Sequence, residues 1–310
     1  MSVGCNPATP TFFNIVTCFT IRYIFFYIYK IINLKKKKMK KIFLFVSPLI
    51  FLVACSSGGD SSTDPLPTHD FTGVWELTEL EVNGDDLMPA YSEALYYYHS
   101  NGTYELKGYL ADGSYANGVG EYSISNDIIT SKGTTLTGVN EGLYISSSSA
   151  VTWVNENEVT VTGTLPPCLG GGTGYSRSVK TTNSLGSAPS NSIVGVWEAT
   201  YVNLGGQDIL TPNYNQVLYY YFADGSVGTE LYFLDGSFDW ASGTYSISGN
   251  VITTSSTLNS TQQTITGSMN ITKLEIDKAE LYTSDFLGTG DAYTLKASKV
   301  ECVPLSNWKK

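Results

Sequence analysis

Histidine is almost absent from these 310 residues; His69 and His99 are the only two. A Ser-His-Asp site or a His-rich zinc site needs convergent partners around an imidazole, and no such set is visible, so catalysis is not expected. Basic residues are scarce beyond residue 54, where ten face 28 acidic ones for a formal charge of -18; residues 1–54 hold eight basic residues and no acidic one. So acidic a body repels nucleic acid and anionic head groups, which excludes a phosphate-backbone partner, and the simplest role of the charge is solubility. Charged residues make up only 15% of the chain, and no long amphipathic helical pattern follows residue 55. What is abundant is Tyr (22) and Gly (30), with Ser and Thr, a composition that suits pleated strands and tight turns.

The basic N-terminus has an internal order. From Met39 the chain reads Met-Lys-Lys, then an apolar run from Ile42 to Ala54, then Cys55 and a Ser/Gly/Asp/Pro-rich stretch. A basic start, an apolar run too short to span a bilayer comfortably and small residues at the end are the parts of a secretory signal. Leu52-Val53-Ala54-Cys55 resembles the lipobox of bacterial lipoproteins. That resemblance implies lipidation of Cys55, cleavage before it and membrane attachment through the acyl chains alone. Ser56, in place of the Asp that favours inner-membrane retention in such proteins, points to the outer membrane of a bacterial envelope. Residues 1–38 fit poorly ahead of this signal and read as a mis-assigned upstream start, 39–54 as the signal peptide and 55–69 as anchor and flexible linker.

Beyond the linker the chain repeats itself. Gly73-Val74-Trp75-Glu76 returns as Gly195-Val196-Trp197-Glu198, Leu95-Tyr96-Tyr97-Tyr98 as Leu218-Tyr219-Tyr220-Tyr221, and Gly120-Glu121-Tyr122-Ser123-Ile124-Ser125 as Gly243-Thr244-Tyr245-Ser246-Ile247-Ser248. A register this constant indicates two copies of one domain, 70–181 and 193–300, with a connector at 182–192 and a C-terminal tail at 301–310. Asn101-Gly102, Asp112-Gly113 and Asn126-Asp127 answer to Asp224-Gly225, Asp235-Gly236 and Gly249-Asn250, pairs that accept the positive φ of hairpin turns. About eight strands per copy in consecutive hairpins predict an all-β chain of two tandem antiparallel up-and-down barrels; a β-sandwich is the alternative.

Each copy opens with Gly-x-Trp, at Gly73/Trp75 and Gly195/Trp197. This resembles the first-strand signature of lipocalins, and the whole pattern resembles the lipocalin-like domains of envelope lipoproteins. The resemblance implies that Trp75 and Trp197 plug the barrel bases, each under a basic residue of the last strand, for which Arg177 and Lys296 are the candidates. The middle Thr-Asp-Tyr motif of the family is not present.

The remaining candidates are aromatic. Strand periodicity turns some rings of each Tyr cluster inward, where they pack the interior or line a pocket with their hydroxyls as polar handles. Tyr97, Tyr104, Tyr122, Tyr220, Tyr232 and Tyr245 are the candidate ligand-facing rings. The partners expected are the membrane, through the anchor, and either a small apolar or amphipathic ligand inside a barrel or a glycan or protein on outward aromatics such as Trp240 and Tyr232. No cofactor or metal is expected: the Asp-Gly-Ser turns at Asp112 and Asp235 lack the alternating ligands of a calcium loop. Glu158 and Glu280 read as matching edge charges. Cys168 and Cys302, at non-equivalent positions in the copies, leave open a disulfide between units or two buried thiols.

Overall fold

The computed structural model describes residues 69–138 and 140–308. The segments expected to be an upstream start and a signal peptide, the expected lipidation site Cys55 and nearly all of the expected tether lie outside them. Among the described residues no helix is long and apolar enough to cross a membrane.

Two closed antiparallel barrels follow one another. The first comprises β1 (Gly73–Val82), β2 (Asp85–Asp86), β3 (Tyr91–Tyr98), β4 (Thr103–Leu110), β5 (Tyr115–Ser125), β6 (Ile128–Thr135), β7 (Tyr144–Asn155), β8 (Glu158–Thr164) and β9 (Thr173–Lys180). The second comprises β10 (Gly195–Leu204), β11 (Gln207–Asp208), β12 (Tyr214–Tyr221), β13 (Ser226–Phe233), β14 (Phe238–Ser248), β15 (Val251–Leu258), β16 (Thr264–Leu274), β17 (Lys278–Thr283) and β18 (Tyr293–Lys299). β2 and β11 are two-residue spurs, so eight strands form each wall, and the pairs β1–β9 and β10–β18 close them. Closure removes the unpaired edges that an open sandwich would leave.

Local chemistry explains the hairpins. Asp112, Asp224 and Asp235 each accept hydrogen bonds from the backbone N–H and the hydroxyl of the serine two residues on, at 2.6 to 2.9 Å. Asn101 does the same for Thr103. The intervening glycines, Gly113 at φ 82° and Gly225 at φ 85°, adopt the left-handed backbone that these turns need.

One irregularity is duplicated. β1 bulges between Leu77 and Glu79 against β9, and β10 bulges between Ala199 and Tyr201 against β18. The extra residue is a threonine in both, Thr78 and Thr200, each bonding across the seam at 3.2 Å to the carbonyl of Arg177 or Lys296. A bulge resets which residues face inward. In β1 the inward set passes from Trp75 and Leu77 to Leu80 and Val82, and in β10 from Trp197 and Ala199 to Val202 and Leu204.

The barrels also touch. The end of β6 and the start of β7 rest against the Trp197 end of the second barrel, where fully buried Ile276 packs with Val119 and Tyr144. Lys132 pairs with Asp277 at 2.7 Å, and Glu301 accepts from both the N–H and the hydroxyl of Ser146. A disulfide joins Cys168, in the short 3-10 turn between β8 and β9, to Cys302 beyond β18. The C-terminal segment then folds back, so that Trp308 lies 4.9 Å from Tyr220 and edge-on to Trp240.

Candidate functional site

Both tryptophans plug a barrel base. Trp75 donates its indole N–H to the Phe71 carbonyl at 2.8 Å, and Trp197 donates to Ile193 at 2.6 Å. The cation over each ring is not the one expected from sequence. Lys180 sits 5.4 Å from the Trp75 ring and Lys299 4.9 Å from the Trp197 ring, whereas Arg177 and Lys296 face outward. Arg177 binds Glu158 and Glu79, and Lys296 binds Glu280 and covers Tyr201. Register gives the reason: Trp75 pairs with Lys180 and Trp197 with Lys299, three residues further along the closing strand. Glu158 and Glu280 are not equivalent either, because Glu280 opposes Lys296 as Thr160 opposes Arg177.

Lys299 is the unusual member of this set. It is 7% exposed, donates to Thr134 Oγ1 of the first barrel at 2.8 Å and to the Ser192 carbonyl at 3.2 Å. Burial in this seam lowers its pKa to about 7, against a smaller pull in the other direction from Asp277. Lys180 lies nearer solvent, within 3.4 Å of the Asp70 carbonyl.

Above the plugs the interiors differ. In the first barrel Tyr104 crosses the lumen over Gly120 and Gly133, and a Cβ at either glycine would run into its ring. Tyr98 packs against it with ring centroids 5.8 Å apart, and Tyr96, Ile129 and Phe71 belong to the same buried cluster. Tyr122 caps the floor, donating to the His99 carbonyl at 2.9 Å, while His69 stacks on Trp153 at 4.4 Å. His99 is buried, its Nε2 has no hydrogen-bond partner, and desolvation lowers its pKa.

In the second barrel the register-equivalent of Tyr104 is Val227, which pairs with Gly243 as Tyr104 pairs with Gly120. Gly243 in turn pairs with Ser256, as Gly120 pairs with Gly133. Bulk has moved to the closing strand, where Tyr293 and Leu295 stand in place of Gly174 and Ser176. A cavity of about 550 Å³ opens against β13 to β16 as a result. Its floor is Tyr219 and Tyr221, which also border a small void of about 10 Å³ above Trp197. Leu231, Leu258, Ile265, Met269 and Leu295 supply an apolar wall, with hydroxyls from Thr229, Thr254 and Ser256.

The cavity opens at the barrel end opposite Trp197. The segment between β17 and β18 forms its rim, with Phe286 stacked on Tyr293 at 4.4 Å. Leu287, 47% exposed, holds a left-handed backbone at φ 57°, which is costly for a leucine and is sustained by the surrounding turn. Asp285 accepts from the Gly290 N–H at 2.7 Å, and Phe286 donates its N–H to the Asp291 carbonyl. The hydroxyls of Tyr219 and Tyr293 bond to one another; burial raises the pKa of both, that of Tyr293 to about 12, so they remain neutral hydrogen-bonding groups.

No protein-family model matches the chain, and no curated protein matches it. Among solved structures it is similar to a protein of unknown function from the DUF3598 family of Nostoc punctiforme, at 12% identity and a TM-score of 0.19 over 74% of this chain and 96% of that one.

Of the six tyrosines picked out from sequence, none lines the cavity. Tyr104 and Tyr122 fill the first barrel, and Tyr245 points inward but seals the floor of the second by donating to the Phe222 carbonyl at 2.7 Å. Tyr97 faces outward beneath Lys107, while Tyr220 and Tyr232 share Glu230 on the outer wall. The cavity tyrosines Tyr219, Tyr221 and Tyr293 were missed. A Tyr-Tyr-Tyr run gives no parity of its own; the alternation counted from Trp197 through its partner Tyr219 supplies it.

Proposed function

We propose that this protein is a non-enzymatic binding protein of a bacterial envelope, anchored through Cys55, that holds a small amphipathic molecule in its second barrel while the first serves as scaffold. One observation carries the reading: the same fold is filled in one copy by Tyr104 and left with a cavity of about 550 Å³ in the other. That volume falls within the range of small-molecule sites, and an apolar wall with a few hydroxyls suits a hydrocarbon body with a polar end.

Native mass spectrometry of the protein purified from the cells that make it tests the reading. A retained extra mass, lost on unfolding and absent from a variant whose cavity is filled, supports a carrier role. A bare polypeptide mass, together with no uptake of added apolar probes, contradicts it.

A second reading rests on the outer wall. Tyr109 with Tyr115 and Tyr232 with Phe238 form ring pairs at matching register positions, at 5.1 and 5.0 Å. Exposed rings of this kind suit sugar stacking. Trp240, by contrast, is covered in part by Trp308.

A further inference from the structure

We infer that the second-barrel cavity selects its ligand by charge, taking amphiphiles whose polar end is cationic and refusing carboxylate-ended chains of the same length. The inference rests on the binding role proposed above and goes beyond it by naming the class of head group.

The lining contains no lysine, arginine or histidine; its one ionisable side chain besides the neutral tyrosines is Asp285, at the rim. A carboxylate drawn into such a lumen would lose its hydration without meeting a compensating cation, and its pKa would rise until it was neutral. The approach is equally one-sided. The loops at that end of the barrel, residues 205–213, 234–237, 259–263 and 284–292, carry Asp208, Asp235, Asp285 and Asp291 and no basic residue. All four carboxylates are exposed. The four basic residues of this barrel lie elsewhere: Lys296 is taken up by Glu280, Lys273 by Glu275, Lys278 starts β17 at the Trp197 end, and Lys299 is buried at that same end. A rim of one sign around a low-dielectric lumen raises the local concentration of opposite charge. The geometry therefore seats the hydrocarbon among Leu231, Leu258 and Met269 and leaves the ammonium among the rim carboxylates.

The full protein is loaded with the uncharged fluorophore N-phenyl-1-naphthylamine and challenged with decylamine, decanol and decanoate at neutral pH, each below its aggregation concentration. Decylamine is expected to displace the probe at least about tenfold more effectively than decanoate at low salt, with the margin shrinking as salt screens the rim. Asp285→Asn combined with Asp291→Asn is expected to lower the affinity for decylamine by a larger factor than the affinity for decanol, and an equal change for both overturns the charge inference. Asparagine retains the oxygen that accepts from Gly290, so the rim turn survives the substitution. Equal displacement by decanoate and decylamine overturns the charge inference while the binding role stands. Failure of the probe to bind at all overturns the binding role itself.

Discussion

Tyr104 and Val227 occupy the same register position in two copies of one barrel, and the difference between them decides which lumen is filled. Tyr104 is 3% exposed and spans the space over Gly120 and Gly133. Truncating it to valine should therefore open a cavity in the first barrel. Tyr104→Val is expected to cost about 2–4 kcal/mol, the range for deleting most of a buried ring where the walls relax only in part. Urea unfolding would show it as a lower midpoint with an unchanged slope.

Lys299 gives the protein a pH-dependent term. Its pKa in the folded state is about 7, against an ordinary value of 10.5. Below pH 7 both states hold the proton; between pH 7 and 10.5 the unfolded chain binds more protons, so stability rises with pH across that interval. The buried tyrosines act the other way, because their raised pKa values cost stability only above their ordinary value of 10. The urea midpoint is thus expected to climb between pH 7 and 9.5, and Lys299→Met, which keeps the aliphatic stem over Trp197, is expected to flatten that climb.

The Cys168–Cys302 bridge closes a sequence separation of 134 residues and ties the first barrel to the segment beyond the second. Cys168→Ser or reduction is expected to lower stability by about 2–4 kcal/mol. Glu301 and the Lys132–Asp277 pair also hold that seam, so the loss should appear chiefly in unfolding midpoints and little in circular dichroism of the folded protein.

Anchoring is tested on Cys55. Metabolic labelling with a tagged palmitate should mark the wild-type protein, and Cys55→Ser should abolish the label and move the protein from the membrane fraction to the soluble one. A labelled Cys55→Ser protein would place the acyl chain elsewhere.

The barrels were legible in the sequence because hairpin chemistry is local. Asp112-Gly113 and Asp235-Gly236 announce their turns within two residues, and the returning Gly-Val-Trp-Glu fixes the period of the duplication. The site was harder to read, because it depends on parity and on register across a seam. Thr78 and Thr200 insert bulges that no composition reveals, and the choice among Tyr219, Tyr220 and Tyr221 turns on a count from Trp197. Lys299 belongs over Trp197 only once β18 is aligned on β10. The cavity was illegible for a different reason: it arises from pairing Val227 with Gly243 and Ser256, three residues on three strands.

The most direct measurement rebuilds the plug of the first barrel in the second. Val227→Tyr with Ser256→Gly reproduces the Tyr104, Gly120 and Gly133 arrangement, since Gly243 is already glycine. Titration with N-phenyl-1-naphthylamine is expected to show saturable fluorescence enhancement in the wild type and little or none in this variant, whose stability should match or exceed that of the wild type. Equal binding by both proteins would contradict the account, because the ligand would then lie outside the second-barrel lumen.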